Sequence, residues 1–186
     1  MNNEVKKEMN EDEKIIRQLC KKIVEEVIIG EQDLPNTINS GNYGEMYMDY
    51  IFEGMNMDYI SEENRKFKRI SKHRVTSLTQ KNNLGIDGVY RNSIGEKPKY
   101  VIGESKYNTA ELEKPSGIKQ MSAEWVLDRL DDAVGREIAD DIKDLYYMKP
   151  EQVVLLVFNT SKNNKSYTFK CLNDLGNVKV SKHCEG

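Results

Sequence analysis

Three residues near the middle of the chain have types and spacing suited to chemistry on a charged substrate: Asp87, Glu104 and Lys106. Asp87 lies in Leu84-Gly85-Ile86-Asp87-Gly88-Val89-Tyr90, and the other two close Tyr100-Val101-Ile102-Gly103-Glu104-Ser105-Lys106-Tyr107. Both strings read as strands. Residues 91–99 between them carry the turn and breaker residues Asn92, Gly95 and Pro98, so a hairpin is the simplest connection. Folding about the loop centre sets Tyr90 near Val101 and Asp87 near Glu104. Residues two apart share a strand face, so Lys106 stands roughly 6–7 Å beyond Glu104 on the same side. Two carboxylates directly across a strand pair repel each other. A divalent cation would offset that repulsion, and oxygen-only ligands suit magnesium or manganese ahead of zinc. The Lys106 ammonium could hold an attacking water or steady charge building on a phosphate. The plainer reading is a half-exposed hairpin with an incidental salt bridge.

Other elements must position this hairpin. Ile16, Leu19, Ile23 and Val27 recur at helical spacing and predict a helix over 13–29, ended by Gly30. Residues 31–42, with Pro35, Asn36, Ser40 and Gly41, read as a loop. That loop is a candidate boundary between an N-terminal helical arm (1–42) and the main domain (43–186). A second helix is expected from about Asn42, with Met46, Tyr47, Tyr50 and Ile51 on its apolar face and Glu45 and Asp49 sharing the other side. Residues 67–78 alternate loosely and suggest a first strand with its basic residues outward. A helix opening at Ile118 would bury Ile118, Met121, Trp125 and Val134. Residues 151–158 form an apolar run that reads as a strand covered on both faces. Two short edge strands are expected at 167–171 and 177–180.

Composition narrows the class. A net charge of −3 gives no global pull towards nucleic acid. Locally the balance differs: residues 64–83 hold seven Lys/Arg, including Lys68, Arg69, Lys72 and Arg74, and no acid. Such a segment suits phosphate-backbone contacts; a solvated edge strand guarded by lysines would look the same. Residues 124–144 carry eight acids and three bases, a solvated or partner-binding face. The three cysteines, Cys20, Cys171 and Cys184, lack zinc-finger spacing and suggest a reducing compartment. His183 beside Cys184 reads as part of a frayed tail. No apolar run is long enough for a membrane span, and the charged N-terminus does not read as a secretory signal. The expected location is the cytoplasm, or a cytoplasm reached by a route outside this sequence.

The string Gly85-Ile86-Asp87-Gly88 followed by Gly103-Glu104-Ser105-Lys106 resembles the signature of the PD-(D/E)XK nuclease superfamily, with Ile86 where that family often has proline. The expected element order over 43–158 is similar to the family's α-β-β-β-α-β core. The resemblance implies an α/β (α+β), restriction-endonuclease-like fold: a central mixed four-stranded sheet flanked by helices, with the N-terminal arm added. It implies phosphodiester hydrolysis with Mg2+ or Mn2+ held by Glu45, Asp87, Glu104 and the backbone carbonyl of Ser105. Glu45 enters because the family's helix before the sheet often supplies an acid; favourable charge at a helix N-terminus also explains it. Lys119-Gln120-Met121-Ser122, with Trp125 and Arg129-Leu130 downstream, resembles the helix after Glu-x-Lys in bacterial polymorphic and contact-dependent toxin nucleases. By that likeness Gln120 points back to the site beside Asp87, Glu104 and Lys106, and Lys119 joins the phosphate-binding set; a solvated first-turn residue is the alternative for Gln120. The implied substrate is DNA with little sequence specificity, the implied partner a cognate immunity protein, and the implied location the cytoplasm of a target cell. An RNA-cleaving toxin of the same fold, or a non-catalytic nucleic-acid- or protein-binding module, are the other readings.

Overall fold

The computed structural model describes residues 11–55, 66–81, 85–114, 117–163 and 165–179. The expectations for the first ten residues, for Leu84 and for the tail with His183 and Cys184 lie outside these. The architecture is α+β, a five-stranded mixed sheet with four helices, in the order α1 (Glu11–Ile29), α2 (Thr37–Phe52), β1 (Phe67–Arg69), β2 (Gly88–Asn92), β3 (Tyr100–Tyr107), α3 (Ala123–Val134), α4 (Arg136–Met148), β4 (Val153–Thr160) and β5 (Tyr167–Cys171). The spatial strand order is also β1 to β5. Among the described residues only β3 and β4 pair in parallel, because α3 and α4 carry the chain back between them.

Helix α1 starts with Glu11, Asp12 and Glu13, acids that suit the positive end of a helix. It buries Arg17, Cys20, Val24 and Val27, one residue per turn. Helix α2 begins at Thr37, five residues before the expected start. The reason is local: the Asn36 side chain accepts the Asn39 N–H at 3.0 Å, an N-cap. The proposed 42/43 boundary therefore falls inside a helix. Cys20, Val24 and Val27 of α1 share one core with Tyr43, Met46 and Met48 of α2 and with Tyr90, Val101 and Phe158 of the sheet.

The hairpin has the expected register. Tyr90 pairs with Val101 and Gly88 with Gly103, so the next pair outward is Asp87 and Glu104. The opposite sheet face packs Val89, Ile102 and Leu155 against Trp125, Leu130, Ala139 and Ile142 of α3 and α4. The strand expected over 67–78 is three residues long; beyond Arg69 the chain leaves the sheet, although Ile70 N still donates to Val89 O. The sheet gains β5 over the expected four-stranded core, while the second expected edge strand is reduced to one bridge, Leu172 to Val178. Helix α3 begins at Ala123, with Ser122 as its N-cap, so residues 118–122 lie before the helix. Gly135, at φ +85°, separates α3 from α4, so the acidic face over 124–144 is divided between two helices. Cys171 is disulfide-bonded, which removes cysteine usage as an argument for a reducing compartment; Cys20 is free and buried. Among the described residues no helix is long and apolar enough to cross a membrane.

Candidate functional site

Strand β3 carries Glu104 and Lys106 on the face that meets α3. Glu104 is buried, 3% exposed, and its Oε1 accepts from Lys106 Nζ at 3.1 Å. Gln120 completes a triangle: its Oε1 accepts from Lys106 Nζ at 3.0 Å, and its Nε2 donates to Glu104 Oε1. Asp87, just before β2, accepts the Ser105 N–H on Oδ2 at 2.8 Å. The structure thus gathers Asp87, Glu104, Lys106 and Gln120 at one place. The Ser105 hydroxyl takes no part there. It lies on the other sheet face against Gly44, buried without a hydrogen-bond partner. Its amide serves Asp87, which leaves the carbonyl as the atom for the role expected of this residue.

Glu45 approaches from α2. Its carboxyl is pushed up to about 9, first by burial and next by the Asp87 charge. Asp87 is pushed up to about 6 by burial, against the pull of the Ser105 N–H and of Lys106. Glu104 is raised well above the ordinary carboxyl value, by burial first and Asp87 second. Three carboxyls thus resist ionisation at one place, a pattern more common at functional sites than elsewhere. Protonation relieves such a cluster; so does a cation. The donor set fits a hard divalent ion in kind, being all oxygen, and Glu104 Oε2 is buried without a hydrogen-bond partner. Among the described residues, however, no group of three or more His, Cys, Asp or Glu is gathered as a ready metal cage.

These shifts give a stability prediction. A carboxyl whose folded pKa lies above its unfolded value supports the fold fully below the unfolded value. That support is lost as pH rises through the folded pKa, because the unfolded chain ionises freely. In EDTA the melting temperature should fall, on the order of 5 °C, from about pH 4.5 upwards, with Asp87's share lost by about 6 and Glu45's by about 9. Mg2+ should restore it at pH 8 and do little at pH 5, where protons occupy the ligands. Calorimetric melting across this range is the measurement; a profile that Mg2+ shifts equally at both ends would remove the carboxylate cluster as the cation's binding place.

The loop bearing Gln120 is braced from behind. Met121 takes φ +62°, and Ala123 N donates to Asp174 O at 2.9 Å. Lys119 Nζ, expected on phosphate, donates to Asn177 Oδ1 at 2.7 Å. Gly176, at φ +69°, sits so close that a Cβ there would stand 3.0 Å from both Gln120 O and Ser122 N.

The basic segment is arranged differently from the expectation. Lys68 and Lys72 are exposed, but Arg69 and Arg74 turn inward. Arg69 Nη1 meets Asp49 Oδ1 at 2.6 Å, and its Nη2 donates to the carbonyls of Asp87, at 2.7 Å, and His73. Arg74 Nη1 lies 2.7 Å from Glu53 Oε2 and 3.4 Å from Asp49 Oδ2. The Tyr90 hydroxyl adds a 2.6 Å bond to Asp49 Oδ1. Burial is the largest influence and opposes the Arg69 charge, but the Asp49 charge and hydrogen bond together with Tyr90 outweigh it, so its pKa stays above the usual arginine value. Arg69 and Arg74 are therefore interior residues rather than phosphate contacts: the acids of α2 capture them. A cavity of about 380 Å³ opens beside them, lined among others by Asp12, Ile16, Arg69, Lys72 and Arg74, and not by the four site residues. Sequence reasoning missed this clamp on the Asp87 backbone. Its signal was Asp49, an acid set among Met46, Tyr47, Met48 and Tyr50 on a helix buried nearly all round.

No family model, curated protein or solved structure matches this chain.

Proposed function

We propose that this chain is a metal-dependent endonuclease that hydrolyses phosphodiester bonds, a DNase of bacterial toxin type with little sequence specificity. The observation that carries the reading is the meeting of Asp87, Glu104, Lys106 and Gln120, with an unpartnered buried oxygen on Glu104. Support also comes from the order α2, β1, β2, β3, α3, β4, which agrees with the αβββαβ core of the PD-(D/E)XK superfamily, β5 and α4 being additions.

On this reading Asp87, Glu104 and Glu45 hold Mg2+ or Mn2+, with the Ser105 carbonyl. The bound ion would lower the pKa of a water and offset charge on the phosphate. The protein's own groups do the rest. The Ser105 N–H and the Gln120 amide donate to Asp87 and Glu104 and so hold both carboxyls in position. Lys106, held by Gln120, presents an ammonium that can donate to a phosphate oxygen as negative charge builds there. A cognate immunity protein would restrain the enzyme in its own cell.

The test is incubation with plasmid DNA and with total RNA, each with and without Mg2+ or Mn2+. Metal-dependent loss of plasmid supports the DNase; loss of RNA alone would transfer the same site to an RNA substrate; no cleavage of either defeats the enzyme. Lys106→Met is expected to cut the rate by about 10²–10³-fold. Metal affinity should hold or rise, because a competing positive charge has gone. Calorimetric titration decides, and a large loss of affinity would make Lys106 an organiser of the carboxylates instead.

A further inference from the structure

Pairing across three strands places another basic residue in line with the site. Glu104 pairs with Val157, and Val157 pairs with Lys170, so all three share one sheet face in one row. The next row is Lys106, Asn159 and Thr168. Two strand spacings put the Lys170 backbone about 10 Å from that of Glu104. Exposure grows along the row: Glu104 is buried, Val157 half-buried and Lys170 exposed. Thr168 is exposed as well. From Glu104 outward to β5, neither row holds a further acid.

The surroundings share this charge. Residues 161–179 hold Lys162, Lys165, Lys170 and Lys179 against a single acid, Asp174, in a chain whose net charge is −3. Asp174 is occupied by the Tyr146 hydroxyl at 2.5 Å. Lys179 N–H donates to Cys171 O at 2.8 Å, one residue beyond the Leu172–Val178 bridge, so this lysine belongs to the opposite sheet face. A lysine on an edge strand can serve only to block sheet extension. Lys170 also lies on the carboxylate face and in register with Glu104, which sheet protection does not require.

We infer that the exposed face of β5, with Lys170 at its centre and Thr168 beside it, is the track on which a phosphodiester backbone lies as it enters the site at Glu104 and Lys106. The occupant is a nucleic-acid strand, recognised through its phosphates and not its bases. The inference rests on the nuclease reading for what happens at the end of the track, but the binding stands apart from cleavage. It also moves the phosphate contacts away from residues 64–83, where two of the four cations expected there point inward.

The experiment is fluorescence anisotropy of the full chain in EDTA with a labelled DNA duplex of about 20 base pairs and a single-stranded RNA, between about 50 and 200 mM salt. Each phosphate contact adds about 0.9 to the slope of log K against log salt for duplex DNA, and about 0.7 for a single strand. Lys170→Ala should lower the slope by nearly one contact and weaken binding several-fold at the low-salt end; Lys170→Glu should weaken it further. Lys68→Ala, on the far edge strand β1, should leave both unchanged. Wild-type slope in Lys170→Ala, a loss confined to Lys68→Ala, or no binding of either polymer by the unaltered protein would each overturn the track. The two readings fail separately. Lys170-dependent binding with no metal-dependent cleavage would sink the enzyme and keep the surface. Cleavage with a slope indifferent to Lys170 would do the reverse.

Discussion

Glu104→Gln is expected to lose metal-dependent cleavage by about 10³-fold or more, while the protein in EDTA melts higher than the unaltered chain. The two halves of this result have one cause. Glu104 is buried, and burial first and the Asp87 charge second raise its resistance to ionisation. Glutamine has the same shape, so Oε1 can still receive the Lys106 ammonium and the Gln120 amide. What disappears is a charge that the fold does not want and the cation does. Above the carboxyl range the repulsion is gone, and the stability lost with rising pH in the native chain is partly returned. Cleavage assays and thermal melts on one preparation check both halves. Cleavage at the native rate would remove Glu104 from the site. A variant that lost activity together with its cooperative melt would show only that position 104 matters to folding.

Arg69→Met is expected to cost about 3–5 kcal/mol of folding stability, the range for breaking a buried ion pair by removing one partner. Against a typical total of about 5–15 kcal/mol this is a large share. The Arg69 and Asp49 side chains are each 2% exposed, so water cannot replace the lost guanidinium. Asp49 would retain the Tyr90 hydroxyl at 2.6 Å and the more distant Arg74 at 3.4 Å. The carbonyls of Asp87 and His73 would lose their donor. Urea denaturation gives the number. A loss under about 1 kcal/mol, the level of an exposed pair, would contradict the buried clamp. Arg69→Lys should recover only part of it, since an ammonium cannot match a planar fork that serves Asp49 and two carbonyls at once.

The hairpin was legible in the sequence because its information is local. The loop from Asn92 to Pro98 has few ways to turn, and a loop centre dictates which residues meet, so Tyr90 opposite Val101 followed from counting. Gln120 was legible only by likeness, and its setting was misjudged. The apolar spacing of Ile118 and Met121 continues into Trp125, but Ser122 caps the helix and leaves Gln120 on the loop before it. Arg69 and Arg74 were misplaced because a run of like charges says nothing about direction. Lys68 faces water and Arg69 does not, although they are neighbours, since a strand alternates and the inner side here holds Asp49 and Glu53. Lys170 was hidden for another reason. Its alignment with Glu104 passes through β4, and a register across a parallel crossover cannot be counted from a turn.

Gly176 shows how unevenly this chain can absorb mutation. It bears no functional group and belongs to a turn remote in sequence from Asp87 and Glu104. Yet its missing side chain is the space that the backbone of Gln120 and Ser122 occupies, and its φ of +69° excludes most replacements on its own account. Drift at this position would be penalised as if it were chemistry. The turn is committed at one residue, and the commitment comes from what lies behind it.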